Sequence, residues 1–201
     1  MEIIELFQKG GFVMYLLLLA SICTIAILAE RFMFYRKALK GIVPYTDNLE
    51  KILSGKSWEE IMQSSLIYNN VAVIMVNETA KAVLNGYDAE LALDRTYTAL
   101  AAQFRRGLNY LSAIVTLSPL LGLLGTIFGM INSFQIFNLQ AGQPMAITGG
   151  IGEALTATAF GLIVAVFSLA VHTYFASRMD NALTIMEKTG AVLLSEVRKR
   201  G

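Results

Sequence analysis

The chain has 201 residues, of which 55% are hydrophobic and only 15% are charged, and its mean hydropathy is +0.57. Soluble domains contain about 25% charged residues, so the composition excludes an ordinary soluble domain and indicates a membrane protein. The net charge of +1 gives no sign of a nucleic-acid partner, and a lone cysteine, Cys23, excludes an intrachain disulfide or a cysteine-based metal site.

Three stretches of the chain lack Asp, Glu, Lys and Arg: Gly10–Ala29, Gly107–Gly152 and Ala154–Ser177. A helix needs about 20 mainly apolar residues to cross the hydrocarbon layer of a membrane. The second and third stretches are separated by the polar, turn-prone segment around Pro144. We therefore predict membrane spans at 12–31, 109–137 and 147–176, with a loop at 138–146.

The basic residues predict the orientation of these spans. Ten of the sixteen Lys and Arg residues lie from Arg31 to Arg106 and five lie in the tail 177–201, while the 138–146 loop has none. The positive-inside rule places the region 32–108 and the tail in the cytoplasm. The N-terminal amphipathic segment 1–11 is then periplasmic, and we read the first span as a retained anchor rather than a signal peptide.

The cytoplasmic region 32–108 has a helical pattern. Its apolar residues recur at helical spacing, and Asp88 precedes a second run that we expect to continue into the membrane without a breaker. The predicted fold is all-α, with three transmembrane helices whose long extensions form a cytoplasmic bundle. We find no motif for a nucleotide, a metal or a cofactor and no nucleophile–base constellation, so we expect no enzyme.

The second and third spans differ from the bulky, apolar first span because small and polar residues share one face of each. These residues are Ser112, Pro119, Gly122, Thr126, Gly129 and Ser133 in the second span, and Ala154, Thr158, Gly161, Ala165, Ser168 and His172 in the third. Two interpretations remain open. Such stripes line a polar path across the membrane, or they let helices pack closely, as in the Gly125–Gly129 pair.

Three further residues bear on that choice. Glu153 lies within the apolar window of the third span, where a carboxylate is costly unless it is paired, hydrated or protonated. It is five residues from Thr158, hence about 140° around the helix, so both cannot face one narrow pore. His172 is either a proton relay or an interfacial hydrogen-bonding group, and Pro119 is expected to kink the second span.

Two motifs in these spans resemble the MotA/TolQ/ExbB proton-channel family, most closely its ExbB and TolQ branches. The motifs are Pro119–Phe134 (PLLGLLGTIFGMINSF) and Gly152–Ala165 (GEALTATAFGLIVA). The resemblance implies a pentamer in the bacterial inner membrane that encloses the single transmembrane helices of two ExbD- or TolR-like subunits. It also implies that Thr126, Thr158 and Glu153 belong to the ion path, with Ser133, Ser168 and His172 serving either the path or packing.

The function implied is that of a stator subunit. Proton-motive force would energise outer-membrane transport or maintenance, with a TonB- or TolA-like protein as a further partner. Two alternatives remain: a structural membrane scaffold without ion flux, and a sodium-driven channel of the same architecture. The sequence does not separate an ExbB role from a TolQ role.

Overall fold

The computed structural model describes residues 11–65, 70–139 and 144–200, apart from the side chains at 136–139, 144–148 and 153. These residues form eight helices and no strand: α1 Gly11–Ala38, α2 Ile42–Asp47, α3 Leu49–Leu53, α4 Trp58–Ser65, α5 Val71–Leu84, α6 Ala89–Arg105, α7 Leu108–Leu139 and α8 Pro144–Arg200. Three helical segments are long and apolar enough to cross a membrane. The all-α prediction with three membrane helices is confirmed.

Helices α7 and α8 reach further into the predicted 138–146 loop than expected. Helix α7 ends at Leu139 and α8 begins at Pro144, while residues 140–143 lie outside the described part of the chain, as do residues 1–10 of the N-terminal segment. Proline suits the first position of a helix because its missing N–H would have no partner there.

The prediction of a continuous run from Ala89 into the membrane is wrong. Helix α6 ends at Arg105 and α7 begins at Leu108, and between them Gly107 has a φ of 84°. A positive φ is accessible to glycine at little cost and cannot continue a right-handed helix. The predicted start of the run is confirmed, because the Asp88 carboxylate accepts hydrogen bonds from the amides of Glu90 and Leu91 at 2.9 and 3.1 Å.

The contacts divide the chain into two units, the first comprising residues 1–29 and 107–174 and the second residues 30–106 and 175–201. In the first unit, Val13, Met14 and Leu17 of α1 are buried together with Ala157 of α8. Leu121 of α7 and Phe160 of α8 pack against this cluster. Helix α1 therefore covers one side of the α7–α8 pair.

The second unit is built around an aromatic cluster and a buried cation. The Tyr35 ring lies 5.2 Å from that of Phe104 and 5.3 Å from that of Phe175, and the Tyr35 hydroxyl donates to the Phe104 carbonyl at 3.1 Å. Arg31 is 2% exposed and donates to the Gln103 carbonyl at 2.7 Å. Its guanidinium also pairs with Glu30, so the charge is buried with its hydrogen-bonding groups satisfied.

Helices α7 and α8 approach each other through residues without large side chains. A Cβ atom on Gly122 would lie 3.0 Å from Thr158 Cα, and one on Gly129 would lie 3.0 Å from Ala154 Cβ. Gly161 is tighter still, since a Cβ there would lie 2.6 Å from the Ser118 carbonyl oxygen and 3.0 Å from Gly122 Cα. We call this contact line the glycine seam.

We expect Gly161→Ala to destabilise the first unit by about 1–3 kcal/mol, the usual cost of overpacking, because the added methyl group meets backbone atoms that cannot rotate away. The matched control is Gly152→Ala on the same helix, where an added Cβ meets nothing within 4 Å among the described residues. The measurement is the melting temperature in detergent. Equal melting temperatures for the two variants would contradict the close approach of α7 and α8 at Gly161.

Candidate functional site

The two threonines predicted for the ion path lie beside the glycine seam, on the side away from α1. With 100° of rotation per residue, Thr126 lies about 140° around α7 from Leu121, and Thr158 lies about 160° around α8 from Phe160. Leu121 and Phe160 are the residues that pack against the α1 cluster. Thr126 and Thr158, which are both half-buried, therefore share a surface that we call the open flank.

A hydrogen bond joins the two helices at the open flank. The Thr158 hydroxyl of α8 donates to the Gly122 carbonyl of α7 at 3.0 Å. The α-helical partner of that carbonyl is the amide of Thr126, four residues later. The Gly122 carbonyl therefore accepts from the Thr158 hydroxyl and from the Thr126 amide. Thr158 can reach this carbonyl because Gly122 has no side chain.

Thr126 has its own anchor within α7. Its hydroxyl donates to the Leu123 carbonyl at 2.6 Å. Each threonine oxygen keeps lone pairs that can accept a further hydrogen bond. Pro119 is half-buried in α7, about 160° from Leu121, and so belongs to the open flank as well. Helix α7 runs through Pro119 without a break, and proline leaves the carbonyl four residues earlier without its helical partner.

Ser133 and Ser168 face helix contacts rather than the open flank. Ser133 is buried, and its hydroxyl donates to the Gly129 carbonyl at 2.7 Å. Ser168 is fully buried, and its hydroxyl lies 2.8 Å from that of Thr24 on α1. Of the two roles left open for these serines, the geometry of the single chain favours packing. The glycines of both stripes also serve packing, because they form the seam.

His172 is not brought to the threonine pair, and the structure does not describe the Glu153 side chain. His172 is half-buried in α8, fourteen residues and hence about 21 Å along the helix from Thr158. Glu153 belongs to α8, but its side chain lies outside the described residues. Its position on the ion path therefore stays a prediction.

Two polar residues of the first unit were missed by the sequence analysis. Thr24 was counted within a uniformly apolar first span, yet it is fully buried and bonded to Ser168. Ser118 is fully buried in α7, and its hydroxyl has no hydrogen-bond partner among the described residues. Periodicity gave no signal for Thr24, because a single hydroxyl inside a bulky apolar run does not form a stripe.

Comparison with known proteins identifies the family of the chain. Residues 60–188 match the model of the MotA/TolQ/ExbB proton channel family. An ExbB-like biopolymer transport protein of Synechocystis is 30% identical, over 96% of this chain and 78% of the relative.

Two other relatives are biopolymer transport proteins. ExbB of Neisseria meningitidis is 30% identical, over 81% of this chain and 80% of its own length. The exbB1 protein of Vibrio cholerae is 28% identical, over 92% of this chain and 84% of its own length. The family match spans the helices from within α4 onward, the seam and both threonines. The chain is a membrane protein that belongs to the MotA/TolQ/ExbB proton channel family and lies close to ExbB.

Proposed function

We propose that the chain is the ring-forming stator subunit of an inner-membrane motor that uses proton-motive force to energise outer-membrane transport or maintenance. The observation that carries the proposal is that the Thr158 and Thr126 hydroxyls are held on neighbouring carbonyls of α7, those of Gly122 and Leu123, on the open flank. Two hydroxyls fixed in this way, and not in contact with α1, are suited to hold a hydrogen-bonded relay.

The relay needs a proton carrier from elsewhere. Glu153 is the one Asp or Glu from Gly107 to Ser177, and the groups that the described residues place next to Thr158 are hydroxyls and carbonyls. Hydroxyls relay a proton but do not hold it as a stable charged group near neutral pH. We assign the carrier to an Asp on the single span of an ExbD- or TolR-like subunit, two copies of which occupy the lumen.

The open flank also supports a ring. Next to Thr158 the side chains of Leu155, Leu162 and Val166 are 50–68% exposed in the single chain. Helix α1 covers the opposite side of the seam, so the ring places α1 outside and the open flank toward the lumen. We assign five copies with cyclic symmetry, a periplasmic N-terminus and a cytoplasmic C-terminus, with a TonB- or TolA-like protein as the further partner.

A structural scaffold without ion flux is the second candidate. It is favoured by the number of small residues that the seam uses for packing within one chain. A scaffold would not need the Thr158 hydroxyl, since the glycines alone bring the helices together. A sodium-driven channel would use the same threonine oxygens, and replacing sodium in the assay buffer separates it from a proton channel.

Thr158→Val tests the relay. Valine keeps the shape of threonine but removes the donor to the Gly122 carbonyl, and a lost hydrogen bond costs only about 1 kcal/mol of stability, so we expect assembly to survive. Energised function should fall by about tenfold or more, equivalent to about 1.4 kcal/mol in the barrier, while Thr158→Ser retains most of it. Proton uptake into partner-containing vesicles is the readout, and wild-type uptake by the valine variant would exclude the relay.

Glu153→Ala and Glu153→Asp test the carboxylate in the third span. If Glu153 belongs to the ion path or to a contact between helices, we expect the alanine variant to lose activity and the aspartate variant to keep part of it. An interfacial carboxylate reached by water would tolerate alanine. Full activity of Glu153→Ala at wild-type expression would therefore assign the residue to the membrane surface.

Native mass spectrometry of the gently solubilised complex tests the ring. We expect five copies of the chain, and seven chains in total when the single-span subunit is co-expressed. Three helices per chain are too few to enclose a polar lumen, so a stable monomer, or a closed dimer, would contradict the ring and the path inside it.

A further inference from the structure

The second unit contains a groove that the ion path does not use. It lies between α6 and α8 with α5 beneath it, and its volume is about 700 Å³. Apolar side chains line it, namely Met75, Leu91, Leu93, Met186 and Leu194. Gly190 keeps the groove open at its floor, since a Cβ there would lie 3.3 Å from Leu93 Cδ2.

Four carboxylates also line this groove: Asp88, Glu90, Asp94 and Glu187. Two are engaged within the chain, since Asp88 caps α6 and Glu90 lies 3.5 Å from the Arg198 guanidinium. Glu187 accepts a hydrogen bond from Tyr97 at 2.9 Å. No cation pairs with Asp94 or Glu187 within the described part of the chain. The groove therefore suits an occupant that brings both apolar surface and positive charge.

A second surface of the same unit adjoins the groove and carries an exposed cation. It is a shallow depression between α5 and α6 that is lined by Lys81, Tyr87 and Arg95 and also by the carboxylates of Glu78 and Asp88, and we call it the arginine face. Asp88 and Leu91 line the groove as well. Tyr87 is 72% exposed, and Arg95 is exposed and pairs with no carboxylate among the described residues. Lys81 pairs with Glu78 at 2.7 Å. Tyrosine and arginine are the residue types most enriched in protein interfaces.

Ring symmetry makes these two surfaces compatible. In a ring about the membrane normal each residue lies at the same depth in every copy, so groups that pair between copies must have similar depths. Asp94 and Arg95 meet this condition whatever the tilt of α6, because successive Cα atoms are about 3.8 Å apart.

We infer that the arginine face of one copy docks into the groove of the next copy, where Arg95 pairs with Asp94 and Glu187 and Tyr87 covers the apolar lining. The inference rests on the ring proposed above and adds the place where the second units touch. The contact is head-to-tail, so each copy uses its groove on one side and its arginine face on the other.

Charge exchange tests the pairing. Asp94→Arg and Arg95→Asp should each reduce the fraction of pentamer in native mass spectra by about tenfold or more, the effect of losing about 1.4 kcal/mol per contact. The double exchange restores opposite charges at positions 94 and 95 but leaves the Glu187 carboxylate facing a like charge, so it should recover the ring in part. The control is Lys51→Glu, which changes the charge of an exposed lysine on α3.

Cross-linking tests the same contact without relying on stability. Two differently tagged chains, Cys23→Ala/Asp94→Cys and Cys23→Ala/Arg95→Cys, are co-expressed and treated with a short bis-maleimide. We expect cross-linked dimers that carry both tags, and none from either chain alone. Pentamers that give no mixed dimer, or that cross-link equally in the single-variant samples, overturn the groove contact and leave the ring standing. A wild-type chain that forms no ring overturns both the groove contact and the proposed pentamer.

Discussion

The close approach of α7 and α8 along the glycine seam is the contact on which the rest of the first unit depends. Lipid tails are as apolar as leucine side chains, so membrane helices gain little from hydrophobic burial against each other and rely on tight packing. A Cβ on Gly122 or Gly161 would collide with backbone atoms of the opposite helix. The same closeness lets Thr158 reach a carbonyl of α7, so packing and the candidate path arise from one geometry.

The architecture could be predicted from the sequence because it is determined by long, uniform signals. Charge-free stretches of 20 residues or more predicted three spans, and Asp88 predicted the start of α6. The break at Gly107 was not predicted, because a single glycine in a helical pattern is usually tolerated. Only its positive φ shows that this one separates two helices.

The candidate site was predicted less completely. Composition showed that two helices carry stripes of small and polar residues, but both packing and a polar path produce such stripes. In the single chain the glycines, Ser133 and Ser168 are used in helix contacts, and Thr126 and Thr158 are half-buried; their place on an ion path stays a prediction. The burial of Arg31 was not predicted, since its carbonyl partner is 72 residues away in the sequence.

Proton flux into liposomes measures most directly whether the open flank forms a channel only together with a partner. The purified chain is reconstituted alone, with the proposed single-span subunit, and with that subunit carrying Asn in place of the proposed Asp carrier. A potential is then applied across the bilayer. We expect uptake in the second sample only, because the proposed path through the chain consists of hydroxyls and needs the carboxylate of the partner. Rapid uptake by the chain alone, or unchanged uptake with the Asn variant, would contradict a path completed by the partner.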